Sequence, residues 1–259
     1  MVIGLPQVEI FMLILARIAG LFIDAPLFSA KSIPSPVKTC VALWITTSLW
    51  FVVPVRYLPD SAISFMFALT VEVFVGYIIG FVANIMLQSA QAAGDILDMQ
   101  MGLSVANVLS PTTGAMSSLS GTFIYMIAIL VFVIVNGHHM VLSAIHQSFI
   151  AIPLISFIDF SKPDLLLQII DLLRFFWVAA IQIAAPILLL IFLIDFSFGI
   201  VSRVAPQVNV FMLGFQVKPS LGLWGLMLLS PLIVQHMISL IGQTSNEISK
   251  TLILFSSGR

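Results

Sequence analysis

The hydrophobic pattern divides the chain into long apolar runs separated by short polar or turn-rich stretches. The first, residues 2–23, is about 20 residues long, enough for a helix to span a bilayer. Glu9 and Arg17 interrupt it, eight positions apart and too far for a direct pair on one helix. Each then snorkels, meets a neighbouring segment, or meets a partner subunit. Asp24-Ala25-Pro26 ends this run, and Ser32-Ile33-Pro34-Ser35-Pro36 reads as a stiff turn. A second run, residues 37–53, closes at Pro54 and Pro59. The third, residues 61–101, is the longest; at about 1.5 Å per residue it outruns a bilayer core, so it breaks or extends beyond the membrane. Residues 122–155 contain the turn dipeptide Asn136-Gly137, which predicts a bent helix or helical hairpin instead of one crossing. Residues 165–194 carry Asp171, Arg174 and Pro186, with Asp171 and Arg174 spaced to pair on a helix. A turn-rich connection is expected over residues 195–218, a last apolar run over 221–241, and a polar tail over 243–259.

Two features stand out within this pattern. Along the third run, Glu72, Gly76, Gly80, Asn84 and Gln88 recur every four residues, followed by Gln91, Asp95 and Asp98 at helical spacing. This small-and-polar stripe, with its GxxxG at Gly76 and Gly80, predicts a helix facing protein along much of its length. The periodicity then fails. Gly102, Asn107, Pro111 and Gly114 punctuate a loop, and Pro111 forces Ser110 out of the helical region. Residues 106–121 carry no charge. Irregular backbone of this kind cannot face lipid, so it is buried in protein or lines an aqueous path. We expect it to obstruct such a path. Val105, Val108, Leu109, Met116 and Leu119 exclude water, Met99 and Met101 join Met116 as adaptable fillers, and Gly114 and Gly121 supply hinge freedom.

Composition places the whole in the membrane class: 60% hydrophobic and 8% charged, where soluble domains carry roughly 25% charged residues. The net charge of −1 gives no argument for nucleic acid. Without a basic leader or a small-residue cleavage site, the first run is expected to stay in the protein. A lone Cys40 leaves no intrachain disulfide and no thiolate metal site. His138, His139 and His146 lack a nearby carboxylate or thiol and are expected to point apart, which favours polar contacts at a helix end over a metal. If six segments cross, Lys31, Lys38, Arg203 and Lys218 fall on one side and Arg56, Lys162, Arg174, Lys250 and Arg259 on the other. That split of four against five gives no orientation signal, and suggests a chain sheathed by other apolar subunits instead of independent spanning helices.

The chemistry of an enzyme is missing. Asp95 or Asp98 with Asp195 imitates the carboxylate pair of an aspartyl protease, but Ala92-Ala93-Gly94-Asp95 stands where such proteases have Gly-x-Gly-Asp. There is no P-loop. No catalytic residue, cofactor or metal is expected. The alternative function is a proton-coupled small-molecule transporter, which calls for internal repeats around a midplane site; no convincing repeat is visible.

Four stretches carry a family likeness. They are Ala93-Gly94-Asp95 with Asp98, Gln100, Gly102 and Ser104; Pro111-Thr112-Thr113-Gly114; Asn136-Gly137-His138; and Ser202-Arg203-Val204-Ala205-Pro206-Gln207-Val208-Asn209-Val210-Phe211. In these the chain resembles the FliR family, export-gate subunits of the flagellum with virulence counterparts in type III secretion injectisomes. The resemblance implies an all-α membrane-class protein, a bundle of long, bent and hairpin helices similar to a fusion of FliP-like (residues 1–180) and FliQ-like (residues 181–259) parts. It implies one copy completing a helical ring of FliP-like and FliQ-like subunits, with an FlhB-like subunit as a further partner. The setting is the bacterial inner membrane within a flagellar or injectisome basal body, and the cargo is unfolded export substrate. A pore plug is implied at Ala106, Asn107, Val108, Leu109, Ser110, Pro111, Thr112, Thr113, Gly114, Ala115 and Met116, and an anchoring turn at Arg203, Pro206 and Gln207. The stripe from Glu72 to Asp98 would then pack against neighbouring subunits.

Overall fold

The computed structural model describes residues 5–53, 61–104, 118–155 and 163–256, and within them the chain is helical, with no strand. The first helix, α1 (Leu5–Asp24), buries Leu13, Ile14, Arg17, Ile18 and Leu21, a stripe at spacings of one and three that turns one face inward. Leu27, at φ 67°, then reverses the chain. In α2 (Ser35–Trp50) Pro36 sits in the first turn, where its missing N–H costs nothing. The hydroxyls of Thr39, Thr46, Thr47 and Ser48 donate to carbonyls four residues back, at 2.7–3.0 Å, so polar side chains are satisfied without water. The Phe11 and Trp50 rings meet edge to face at 5.9 Å where α1 and α2 pack.

The third helix, α3 (Ala62–Met101), runs 40 residues without a break, so the longest run does not break within these bounds and makes a helix of about 60 Å. Next come α4 (Leu119–Ile134) and α5 (Gly137–Ala151), with a 68° bend at the break between them. Asn136 adopts the left-handed conformation at φ 60°, and the Phe132 ring covers Gly137 so closely that a Cβ there would overlap it. The Asn-Gly signal thus marks a real bend. The rings of His138 and His139, expected to diverge, lie 4.5 Å apart in the first turn of α5.

The last two helices correct the sequence reading most. They are α6 (Pro163–Val204) and α7 (Val210–Ser256), so the connection expected over residues 195–218 shrinks to 205–209 and the tail expected over 243–259 is helical as far as Ser256, the last described residue. Pro186, Pro219, Pro231, Gly199 and Gly214 all lie inside helices. A tightly apolar setting gives an unpaired backbone group no alternative partner, so the helix persists through residues that end helices in water. In the tail, Ser249 and Thr251 donate to the Ser245 and Glu247 carbonyls at 3.0 and 2.8 Å, which removes their need for water. Residue 181, the expected junction of the two family-like parts, falls within α6.

Four described helices are long and apolar enough to cross a membrane, α1, α3, α6 and α7, and the bent α4–α5 pair makes a fifth where it is counted as one span. Packing groups the chain into two compact units: Met1–Ile85 with Phe132–Leu173 and Ile241–Arg259, and Met86–Val131 with Arg174–Leu240. In the first unit α1 and α3 cross at near-contact distance. A Cβ on Gly76 would overlap the Arg17 carbonyl oxygen, and one on Gly20 would overlap the Val73 carbonyl oxygen. In the second unit α6 and α7 form a hairpin in which Leu190 lies on Gly225 and Asp195 pairs with Lys218 at 2.5 Å.

Candidate functional site

The segment expected to close a path, Ala106 to Met116, lies outside the described residues, but both of its flanks are placed. On the entry side α3 ends at Met101, and Gly102 takes φ +81°, a conformation that favours glycine and terminates the helix. A Cβ at Gly102 would press on the Phe215 ring at 3.2 Å. On the exit side Ser118 stands immediately before α4. Its hydroxyl accepts from the Gly121 N–H at 2.8 Å, and its carbonyl accepts from the Thr122 N–H at 3.0 Å, which makes it the cap of that helix.

Asp98, near the end of α3, reaches across to this cap. One carboxylate oxygen accepts the Ser118 hydroxyl at 2.7 Å, and the Ser120 N–H donates to both oxygens at 3.2 and 3.3 Å. The carboxylate is buried, at 3% exposure. It sits where the α4 N–H groups and helix dipole favour negative charge. One turn earlier Gly94 lies against Gly121 with no room for a Cβ between the backbones. Gly121, expected to act as a hinge, is therefore fixed within the first turn of α4. Gln91 donates to Asp95 at 3.4 Å beside the same glycine; Asp95 is exposed and Gln91 half-buried.

The earlier part of the stripe belongs to the first unit. Glu72, Gly76, Gly80 and Asn84 are buried, while Gln88 is exposed. Arg17 answers Glu72: its Nε and Nη2 each lie 2.6 Å from one Glu72 oxygen. Arg17 also donates to the Ser148 hydroxyl at 3.1 Å and the Ile152 carbonyl at 3.0 Å, and its guanidinium lies 4.2 Å from the Phe149 ring centre. The second Glu72 oxygen accepts the Ile155 N–H at 3.3 Å. Both charges are sealed, Arg17 at 0% and Glu72 at 1% exposure, so α1, α3 and the end of α5 are tied by one ionic network. Asn84 donates to Asp24 at 3.0 Å, closing the stripe against the end of α1. Here the neighbour covering Glu72, Gly76, Gly80 and Asn84 is the chain's own first helix.

Arg203 ends α6 as the basic residue of its last turn, where a cation suits the helix dipole, and Pro206 and Gln207 form the turn to α7. All three are exposed. Asn209 begins α7, its side-chain oxygen accepting from the Met212 N–H at 3.2 Å. Between this hairpin and the end of α3 lies a cavity of about 610 Å³, lined among others by Met99, Gln100, Gly102, Asp195, Phe211 and Lys218. Among the described residues no cluster of three or more His, Cys, Asp or Glu side chains is arranged to hold a metal. Sequence reasoning missed Ser118 and Ser120. A serine directly before an apolar run is a cap signal, and would have marked Ser118 as the end of the loop.

A family model described as "Bacterial export proteins, family 1" matches residues 8–244. The chain is 34% identical over 209 residues to the flagellar biosynthetic protein FliR of Bacillus subtilis (strain 168), covering 80% of this chain and 81% of that one. It is 26% identical over 235 residues to FliR of Escherichia coli (strain K12), with 87% of each chain covered. Over 221 residues it is 28% identical to the Yop proteins translocation protein T of Yersinia pestis, with 82% of each covered.

Proposed function

The chain belongs to the FliR family of bacterial export proteins, and on that premise we propose that it both builds and closes a protein-conducting gate. At the coarser level it is a membrane-embedded component of a type III export apparatus, a reading supported by the bacterial-export family model and by the flagellar-biosynthetic and Yop-translocation relatives. At the finer level, one copy completes a ring of FliP-like and FliQ-like subunits in the bacterial inner membrane, within a basal body, beside an FlhB-like subunit. Its residues 1–180 take the FliP-like role and 181–259 the FliQ-like one. Residues 106–116 stop the channel until unfolded substrate passes. Its work is structural and gating, with no catalytic step. Arg203, Pro206 and Gln207 hold the α6–α7 turn against neighbours.

The observation that carries the closing role is the pinning of both flanks of an uncharged segment. Asp98 bonds to Ser118, so the chain leaves α3 and returns to α4 at one place. An uncharged segment between two such pinned flanks, in a setting where bare backbone cannot face lipid, is suited to fill a lumen, because it offers ions no charge to hydrate. The description of the family model and the name of the Yop-translocation relative speak for protein export instead of small-molecule transport.

The test has two arms. Purified from mild detergent, the tagged chain should bring FliP-like and FliQ-like subunits with it; a lone chain or a small homo-oligomer would refute the ring. In cells making the whole gate, removal of residues 106–116 should admit ions and small solutes; conductance equal to that of the intact gate would refute the plug.

A further inference from the structure

We propose that the open end of the α6–α7 hairpin is a docking surface for a segment of another subunit of the apparatus, one that presents a carboxylate beside an apolar side chain. This rests on the anchoring role given to Arg203 above and names the chemistry of what it anchors to. The surface is the rim of the 610 Å³ cavity, to which the end of α3 and both helices of the hairpin contribute. On α6, Asp195, Phe198, Gly199 and Ser202 fall at spacings of three, one and three, so one face of that helix lines the space. Arg203 stands one turn beyond Gly199 on the same face, which puts it at the rim. Met99 and Phe211 line the cavity too, yet stay 71% and 72% exposed. The Phe211 ring meets the Phe215 ring edge to face at 4.9 Å, so the aromatic side of the rim is held in place.

Exposed apolar side chains alone would suit lipid tails equally well. What speaks for protein is the polar chemistry set among them. The Asp195 carboxylate is part-exposed, and the exposed Gln100 amide makes no hydrogen bond among the described residues. Hydrocarbon offers neither group a partner, and a phosphate headgroup would meet Asp195 as a like charge. Phenylalanine, methionine and arginine around such a floor are the residues enriched where proteins meet. Charge then fixes the sign of the partner. Asp195 pairs with Lys218, so those two cancel. Arg203 is exposed and has no ion pair or hydrogen bond among the described residues. The end of the hairpin is thus left with one uncompensated positive charge, on a guanidinium whose planar fork fits a carboxylate through two parallel N–H···O bonds. The cavity has volume for on the order of 20 waters. An apolar anchor resting between Met99 and Phe211 therefore leaves the Asp195–Lys218 pair hydrated and does not require it to open.

The experiment uses cells producing the whole apparatus. A photo-crosslinking amino acid replaces Met99 or Phe211, one at a time, and the joined peptides are identified by mass spectrometry. Both positions should join to the same subunit, at a segment with an Asp or Glu within one helical turn of the joined residue. Arg203→Glu should then lower co-purification of that subunit about 3- to 10-fold, as expected when an exposed ion pair becomes a repulsion. Arg203→Lys keeps the charge and should lose less. Arg in place of the identified partner carboxylate should restore binding to the Arg203→Glu chain. Joining only to lipid, to passing export substrate or to nothing, while other subunits still co-purify, would overturn the inference and leave the ring reading standing. A joined segment without a carboxylate would overturn it as well, as would an Arg203→Glu chain that binds like wild type or that the exchanged charge does not rescue. A wild-type chain that brings down no subunit at all would remove the ring reading, and this inference with it.

Discussion

The ionic network of Arg17 gives the sharpest energetic prediction. Arg17→Met removes the guanidinium but keeps an apolar stem of similar reach. It strands the Glu72 carboxylate at 1% exposure and leaves the Ile152 carbonyl without the donor that reached it at 3.0 Å. Removing one partner of a buried ion pair costs about 3–5 kcal/mol, because the remaining charge stays buried and uncompensated. For a chain of this size each kcal/mol lowers a midpoint by about 2–4 °C, so the expected fall is roughly 6–20 °C. Glu72→Leu should cost a similar amount, since it leaves Arg17 with only neutral acceptors. Arg17→Met together with Glu72→Leu should be milder than either alone, because no buried charge is left. Arg17→Lys should fall between, since one ammonium cannot serve Glu72, Ser148 and Ile152 through a planar fork. The assay is the temperature at which half of the detergent-purified complex remains intact. If the two single losses simply add in the double variant, the charges are independent and the reasoning from this network fails.

Three further outcomes follow from packing. Gly76→Ala places a methyl on the Arg17 carbonyl oxygen; α1 and α3 must part, at a cost of about 1–3 kcal/mol or more, and the yield of intact complex should drop, while an unchanged yield would dismiss the close crossing. Gly199→Ala and Gly242→Ala add a methyl with none of the described residues within 4 Å, and as helix-interior positions should gain about 0.5–1 kcal/mol each; a lowered midpoint would contradict this. Lys218→Gln breaks a pair whose side chains are 24% and 42% exposed, so the loss should stay under about 1 kcal/mol; a larger fall in midpoint would mean the pair is sealed by something outside the chain.

What the residues revealed in advance, and what they hid, follows one physical rule. The four-residue recurrence of Glu72, Gly76, Gly80 and Asn84 showed that this face avoids lipid, because lipid has nothing to offer a carboxylate or a bare backbone. It could not show what covers the face. The sequence reading assigned neighbouring subunits, and the structure assigns Arg17, Leu21, Ala25 and Asp24, all more than fifty positions away. Arg17 was legible as a charge within an apolar run that snorkels, meets a neighbouring segment or meets a partner subunit; its pairing with Glu72 was not legible, since nothing in a local pattern reports a long-range contact. The Asn136 bend was legible because a left-handed residue followed by glycine is a local event. Gly199 and Gly214, within the connection expected over residues 195–218, misled for the converse reason: they are turn residues in water, but here the helices run through them. Beside the segment proposed to close the channel, Asp98 was read as part of a stripe and its bond to Ser118 went unseen, because a cap formed across two helices leaves no mark in either one.

The central claim is that an uncharged segment pinned between α3 and α4 stops a lumen that other subunits complete. An image of the assembled, closed gate at side-chain resolution tests it most directly. The account predicts Pro111 and its neighbours inside the central channel, with Asp98 still bonded to Ser118 at its base. Pro111 lying on the outer wall of the assembly, away from any channel, would contradict it.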